Sequence, residues 1–281
     1  MTDATPRRVQ VDDLQINVLD AGSGLPVLLL HGFPDSLALW REVTPRLIAA
    51  GHRVIAPDLR GFGDSDAPRG RRHYAIDLVL REILALLERL GVHEPVRIMG
   101  HDWGAAIAWY LSVAHPERVA SSVVLSLGHP REYARAGLEQ KRKGAYTLFW
   151  QLPGIAETQL SRDDWAGLRH WARHHPDVDA CARDLARPGR LTAGLNWYRA
   201  NRVRVMFESW SPCRVPTLGV WSSDDHCLAE DQMRNSSRRM AAPWRYVRIE
   251  GAAHWLPLER PEEITGLALD WFNEGRAAEP G

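Results

Sequence analysis

Hydrophobic positions along the chain follow two rhythms. Short, nearly unbroken apolar runs appear as "PVLLLHG" (26–32), "HRVIAPD" (52–58), "VRIMG" (96–100), "SSVVLSL" (121–127), "PTLGVWS" (216–222) and "WRYVRIE" (244–250). Turn residues bound most of them, as expected of strands buried on both faces. "VQVDDLQINVLDAG" (9–22) alternates apolar and polar instead, which predicts a strand or hairpin leading into the sheet. Longer stretches between these runs place apolar residues three and four apart. The clearest, "IDLVLREILALLERLG" (76–91), predicts an amphipathic helix closed by Gly91. Strands alternating with helices predict an α/β protein with a mostly parallel central sheet flanked by helices.

One interval breaks the rhythm. From about Arg131 to about Ser211 no strand pattern appears, only charged, Trp-rich helical segments interrupted by Pro153, Pro176 and Pro188. That is too long for a single connection, so a helical insertion resting on the sheet is expected. The chain then divides into a core of residues 1–130 and 212–281 and a helical cap of residues 131–211.

Composition narrows the function classes. The 281 residues carry 35 Lys and Arg against 35 Asp and Glu, a balance that argues against nucleic-acid or anionic-membrane partners. Cys181, Cys213 and Cys227 form no C-x-x-C and cannot all pair, so a reducing compartment is expected. The polar start "MTDATPRRVQ" has no apolar core of a signal peptide, and no run approaches the ~20 residues of a membrane span. These features predict a cytoplasmic protein, a monomer or homodimer. His170 and His174 stand one helical turn apart, but no neighbouring acid or cysteine supports a metal, and none is expected.

Chemistry enters at "VRIMGHDWGAAIAW" (96–109). The run stops at Gly100 and a helical pattern starts at Trp103, with Gly100-His101-Asp102-Trp103-Gly104 between them. This is the G-x-S-x-G strand–turn–helix of a nucleophile elbow with Asp102 in the serine's place. Gly100 and Gly104 supply the small residues such a turn needs. In elbow-bearing folds an acid and then a histidine follow the nucleophile. "VWSSDDHCL" places Asp224 and Asp225 just past a strand run, and "RIEGAAHWLPLERP" places His254 in a loop after the last one. Asp225 lies further into its loop and is preferred as the acid, with Asp224 as competitor. "HGFPDS" (31–36) can aim the Phe33 N–H at the reaction centre, joined by the Trp103 N–H as a second oxyanion donor. "DLRGFGDSDAP" (58–68) lacks the lysine of a phosphate loop and is given a structural role.

Together "HGFPDS", "DLRGFGDS", "GHDWG", the late Asp and "GAAHW" resemble the α/β-hydrolase superfamily, in its Asp-nucleophile branch of epoxide hydrolases and haloalkane dehalogenases. The resemblance runs over nearly the whole chain. It implies an α/β-hydrolase fold, no cofactor, and attack by Asp102 on an sp³ carbon to give an alkyl ester. Water activated by His254, with Asp225 holding the ring, then hydrolyses that ester.

"KGAYTLFWQLPGIAE" (143–157) and "GLNWYRA" (194–200) resemble the cap segments in which epoxide hydrolases carry ring-opening tyrosines, which implies that role for Tyr146 and Tyr198. An epoxide oxygen leaves as an alkoxide and needs an acid, whereas a halide needs only N–H donors. Phe33 occupies the slot where dehalogenases commonly have Asn, and Trp103 the slot where fluoroacetate dehalogenases typically have Arg. A small apolar epoxide and water are therefore the expected reactants, with Trp103, Trp150 and Trp255 expected to wall the pocket. The alternatives are a haloalkane dehalogenase-type hydrolase and a ligand-binding receptor on the same fold.

Overall fold

The structure, a computed structural model, describes residues 5–277. Eight strands form one sheet: β1 (Arg7–Val11), β2 (Leu14–Gly22), β3 (Leu25–Leu30), β4 (His52–Pro57), β5 (Val96–His101), β6 (Val119–Leu125), β7 (Thr217–Ser222) and β8 (Trp244–Ile249). Their spatial order is β1-β2-β4-β3-β5-β6-β7-β8. β2 pairs antiparallel with both neighbours, and the pairs from β4 through β8 are all parallel. The alternating segment at the start resolves as the β1–β2 hairpin, and Asp12 takes the positive φ of its turn.

Helices α1 (Val43–Ala49), α2 (Ile76–Arg89) and α3 (Trp103–Ala114) follow β3, β4 and β5. α2 buries Ile76, Val79, Leu80, Ile83, Leu86 and Leu87, the stripe its periodicity predicts. Each such side chain contributes ~1.5–3 kcal/mol when fully buried. α3 buries an unbroken run from Gly104 to Ser112, consistent with a helix enclosed on all sides.

Between β6 and β7 the chain is helical: α4 (Pro130–Arg135), α5 (Leu138–Lys143), α6 (Tyr146–Phe149), α7 (Ile155–Trp171), α8 (Val178–Leu185) and α9 (Arg190–Phe207). α10 (Glu230–Arg234) lies between β7 and β8, and α11 (Leu256–Glu259) and α12 (Pro261–Ala277) close the chain. One hydrophobic cluster joins α2, α3 and the helices after β6; a second joins α1, α11 and α12 on the other side of the sheet.

α9 is tied to the core by named bonds. The Asn201 side-chain amide donates to the Tyr74 carbonyl and accepts from the Ile76 N–H, both at 2.8 Å. The Trp197 indole N–H donates to the Arg60 carbonyl at 3.2 Å. These bonds fix the helix that carries Tyr198. Among the described residues no helix is long and apolar enough to cross a membrane, and the three cysteines are free and buried.

Candidate active site

β3 lies between β4 and β5, so the chain leaves its C-terminal end toward opposite neighbours, the place where open α/β sheets bind ligands. Asp102 stands there, in the turn from β5 into α3. Its backbone takes φ 54° and ψ −117°, a strained conformation for a residue with a side chain. Close packing enforces the turn. A Cβ on Gly104 would come within 1.9 Å of the Leu30 carbonyl oxygen, and one on Gly100 within 2.3 Å of the Gly104 oxygen. Gly32 is equally constrained, since a Cβ there would meet Asp102 Oδ1 at 2.2 Å.

The turn sets the two carboxylate oxygens apart. Oδ1 accepts from the Phe33 N–H at 3.0 Å, and the Trp103 N–H also bonds the carboxylate. Oδ2 lies 3.9 Å from His254 Nε2, beyond hydrogen-bond reach. Burial pushes the Asp102 carboxyl up to about 6, against the opposing pull of His254 and of the Trp103 and Phe33 N–H groups.

His254 Nδ1 donates to Asp225 Oδ2 at 2.9 Å, which leaves Nε2 facing Asp102. Asp225 Oδ1 accepts from the Cys227 and Leu228 N–H groups at 2.8 and 2.9 Å. Burial alone would raise the Asp225 carboxyl, but His254 and those N–H groups hold it below its ordinary value. Burial works to lower the His254 imidazole, and Asp225, followed by Asp102, raises it above 6.5. Asp224 is exposed and accepts from the neighbouring Ser223 hydroxyl instead.

The loop holding the histidine is clamped from beneath. His101 Nε2 and Ser126 Oγ both donate to the His254 carbonyl, at 2.9 and 3.0 Å. Burial pushes the His101 imidazole down to about 3, so it remains a neutral donor.

A cavity of about 260 Å³ opens over Asp102, and Trp103, Tyr146 and Tyr198 stand on its wall. The two phenol rings are 6.4 Å apart between centroids. The Tyr198 hydroxyl is buried at the cavity wall, where the Trp103 side chain works against the rise that burial causes. Burial raises both phenols well above 10, so both keep their protons.

Trp150 and Trp255, expected at the pocket wall, stand one layer behind it. Trp150 is buried against Tyr146 at 4.5 Å and Tyr198 at 4.8 Å between ring centroids. Trp255 packs edge-on behind His254 at 5.0 Å, and its indole N–H donates to Asp35 Oδ2 at 3.2 Å.

Sequence reasoning missed three participants. Tyr133 lines the same cavity as a third phenol, pushed up to about 12 chiefly by burial. Lys143 donates to the Asp225 carbonyl at 2.6 Å. Asp35 is buried between Trp255 and His175, whose Nε2 lies 2.9 Å from Oδ1. No motif flags Tyr133 or Lys143, and Asp35 was visible only as part of "HGFPDS". Among the described residues two groups of side chains come close enough together to hold an ion: Asp225–Cys227–His254, which is the site itself, and Asp35–His175–Cys181. Each already contains a carboxylate–imidazole hydrogen bond. His170 and His174 belong to neither group.

Residues 26–261 match the family described as the alpha/beta hydrolase fold. The chain is 32% identical over 277 residues to AB hydrolase superfamily protein YfhM of Bacillus subtilis, covering 94% of this chain and 96% of that protein. It is 31% identical over 315 residues to epoxide hydrolase A of Mycobacterium tuberculosis, covering 95% and 97%. Among solved structures, epoxide hydrolase A from Mycobacterium thermoresistibile aligns with a TM-score of 0.82 at 26% identity, over 96% of this chain and 98% of that one.

Proposed function

Because the chain belongs to the α/β-hydrolase fold family and is epoxide-hydrolase-like, we propose that it hydrolyses epoxides to vicinal diols through an alkyl ester on Asp102. The observation that carries this reading is the pair of protonated phenols, Tyr146 and Tyr198, sharing one cavity with the elbow carboxylate. Halide departure requires no proton, whereas ring opening requires one.

Asp102 Oδ2 attacks an epoxide carbon while a phenol gives its proton to the ring oxygen, leaving a hydroxyalkyl ester and a tyrosinate. Both phenols sit above 10, closer to an alkoxide than a carboxylic acid is, and burial keeps them from ionising before the substrate arrives. His254 Nε2 then takes a proton from water. The hydroxide adds to the Asp102 carboxyl carbon, and the charge that develops on Oδ1 falls on the Phe33 and Trp103 N–H groups. Collapse expels the alkoxide, which takes a proton from His254 and leaves as the diol. The remaining proton returns to the tyrosinate. The sum is epoxide plus water to diol.

Phe33 N–H already points at Oδ1 in the free enzyme, so the oxyanion site is formed before charge develops. An aspartate also explains itself chemically, because a serine would give an ether that water does not readily cleave. One turnover in ¹⁸O-water with enzyme in excess is expected to place the label in the Asp102 carboxylate and leave the diol unlabelled. Label in the diol, or halide release from a bromoalkane with no diol from any epoxide, overturns the reading.

A further inference from the structure

The cavity over Asp102 changes character from floor to mouth. Asp102, Trp103, Ala106 and Tyr198 form the inner end, whereas Leu148, Met206, Lys141 and Arg202 are exposed at the outer end. Among the described residues on this wall, Asp102 is the one acid, and Lys141 and Arg202 are the two cations.

Neither cation is engaged. Among the described residues the Lys141 ammonium and the Arg202 guanidinium have no ion pair or side-chain hydrogen bond. Their neighbours on the same helices are committed. Lys143 holds Glu139 at 3.1 Å, and Arg204 binds Glu208 at 2.6 Å as well as Asp77. Glu139 of α5, Glu208 just past α9 and Asp77 of α2 are therefore held by other cations, and Lys141 and Arg202 present their charges at the mouth.

From this arrangement, and resting on the epoxide reading above, we propose that the mouth is an anion subsite. Its substrates are amphiphilic epoxides with an apolar body inside the cavity and a carboxylate or phosphate at the far end, held by Lys141 and Arg202. The rest of the wall is mostly apolar, with Leu127, Pro130, Ala134, Ala136 and Val205 along it, and its polar residues, such as Tyr133, Gln140 and Gln151, are uncharged. A charge drawn into that stretch would lose its hydration without an opposite charge to replace it. An anion entering first would also approach the ionised Asp102. Both effects keep the anionic end outside and turn the epoxide inward, so the subsite orients the substrate as well as holding it.

The test compares a series of terminal epoxyalkanoates with their methyl esters and with the matching epoxyalkyl phosphates, read as kcat/KM for diol formation at low ionic strength. One exposed ion pair corresponds to a preference of about two- to fivefold, so two predict about tenfold in favour of the anion at the best-fitting chain length. Added salt is expected to erode that ratio, and Lys141→Gln with Arg202→Gln to bring it toward unity. Arg89→Gln, an exposed change on α2, serves as the control that keeps the ratio. A higher kcat/KM for the phosphate than for the carboxylate identifies a dianion as the preferred head group; the reverse identifies a carboxylate. Equal efficiency for anion and ester, or a preference that survives in the double variant, overturns the subsite while leaving epoxide hydrolysis standing. If neither anion nor ester yields diol, the epoxide reading fails and the subsite fails with it.

Discussion

Replacing Tyr198 with Phe is expected to slow ring opening while leaving the fold intact. The ring keeps its contacts with Phe33, Trp103 and Trp150, so no cavity opens. Stability shifts by no more than ~1 kcal/mol, or ~2 °C in melting temperature for a chain of this size. The same change removes a proton donor from ring opening, a loss of ~10²-fold or more. The assay uses a His254→Gln background, in which the ester accumulates. Alkylation is then read directly as an increase in protein mass equal to that of the epoxide, free of the hydrolytic step. An alkylation rate within threefold of the background enzyme would refute the donor role. A fall in melting temperature of more than ~4 °C would refute the claim that the ring's packing is kept.

Further outcomes are expected at other positions. Asp225→Asn slows hydrolysis of the ester by ~10³–10⁴-fold by analogy with triad acids, whereas Asp224→Asn leaves it within twofold; single-turnover decay of the alkyl-enzyme separates the two. The alkylation rate falls as pH drops below about 6, because Asp102 must be ionised to attack and burial holds its carboxyl there; a rate flat down to pH 4 contradicts that. Ester hydrolysis rises with pH until the His254 imidazole is neutral. Its midpoint lies below the His254 midpoint of the resting enzyme, because esterification removes the Asp102 charge, one of the causes that raise it. Nuclear magnetic resonance titration of His254 against the pH profile of hydrolysis makes the comparison. Gly32→Ala abolishes alkylation while leaving most of the fold intact, since the new methyl group meets the nucleophile's own oxygen; full activity in that variant contradicts the crowding argument.

Much of this site was legible because its demands are local. The elbow needs small residues at 100 and 104, and the distances from Gly100 and Gly104 to neighbouring carbonyl oxygens show why. The central strand runs were legible because burial on both faces leaves little room for polar positions, whereas β8, at the sheet edge, is only half-buried and carries Arg245 and Arg248. The segments around Tyr146 and Tyr198 carried meaning only through their resemblance to a family. Nothing in periodicity sends two helices nearly fifty residues apart to one cavity, and the pairing of α9 with the core depends on Asn201 and Trp197. Trp150 and Trp255 illustrate the limit. Trp150 sits one helical turn from Tyr146 and packs edge to face against it. Trp255 follows His254 directly and turns away from the cavity to meet Asp35. Adjacency in the chain does not fix the direction of a side chain.

Asp35 has a consequence for traffic through the molecule. It grips His175 of the helical layer with one oxygen and Trp255, beside His254, with the other. Lifting that layer away from the sheet breaks a buried charge-assisted bond, at ~1.5–3 kcal/mol, before any ligand contact can compensate. The layer is therefore expected to act as a riveted roof with a fixed doorway. Under the proposed activity, molecules are then sorted by the cross-section they present on the way in, and two epoxides with equally reactive rings part company at the threshold, before either has met Asp102.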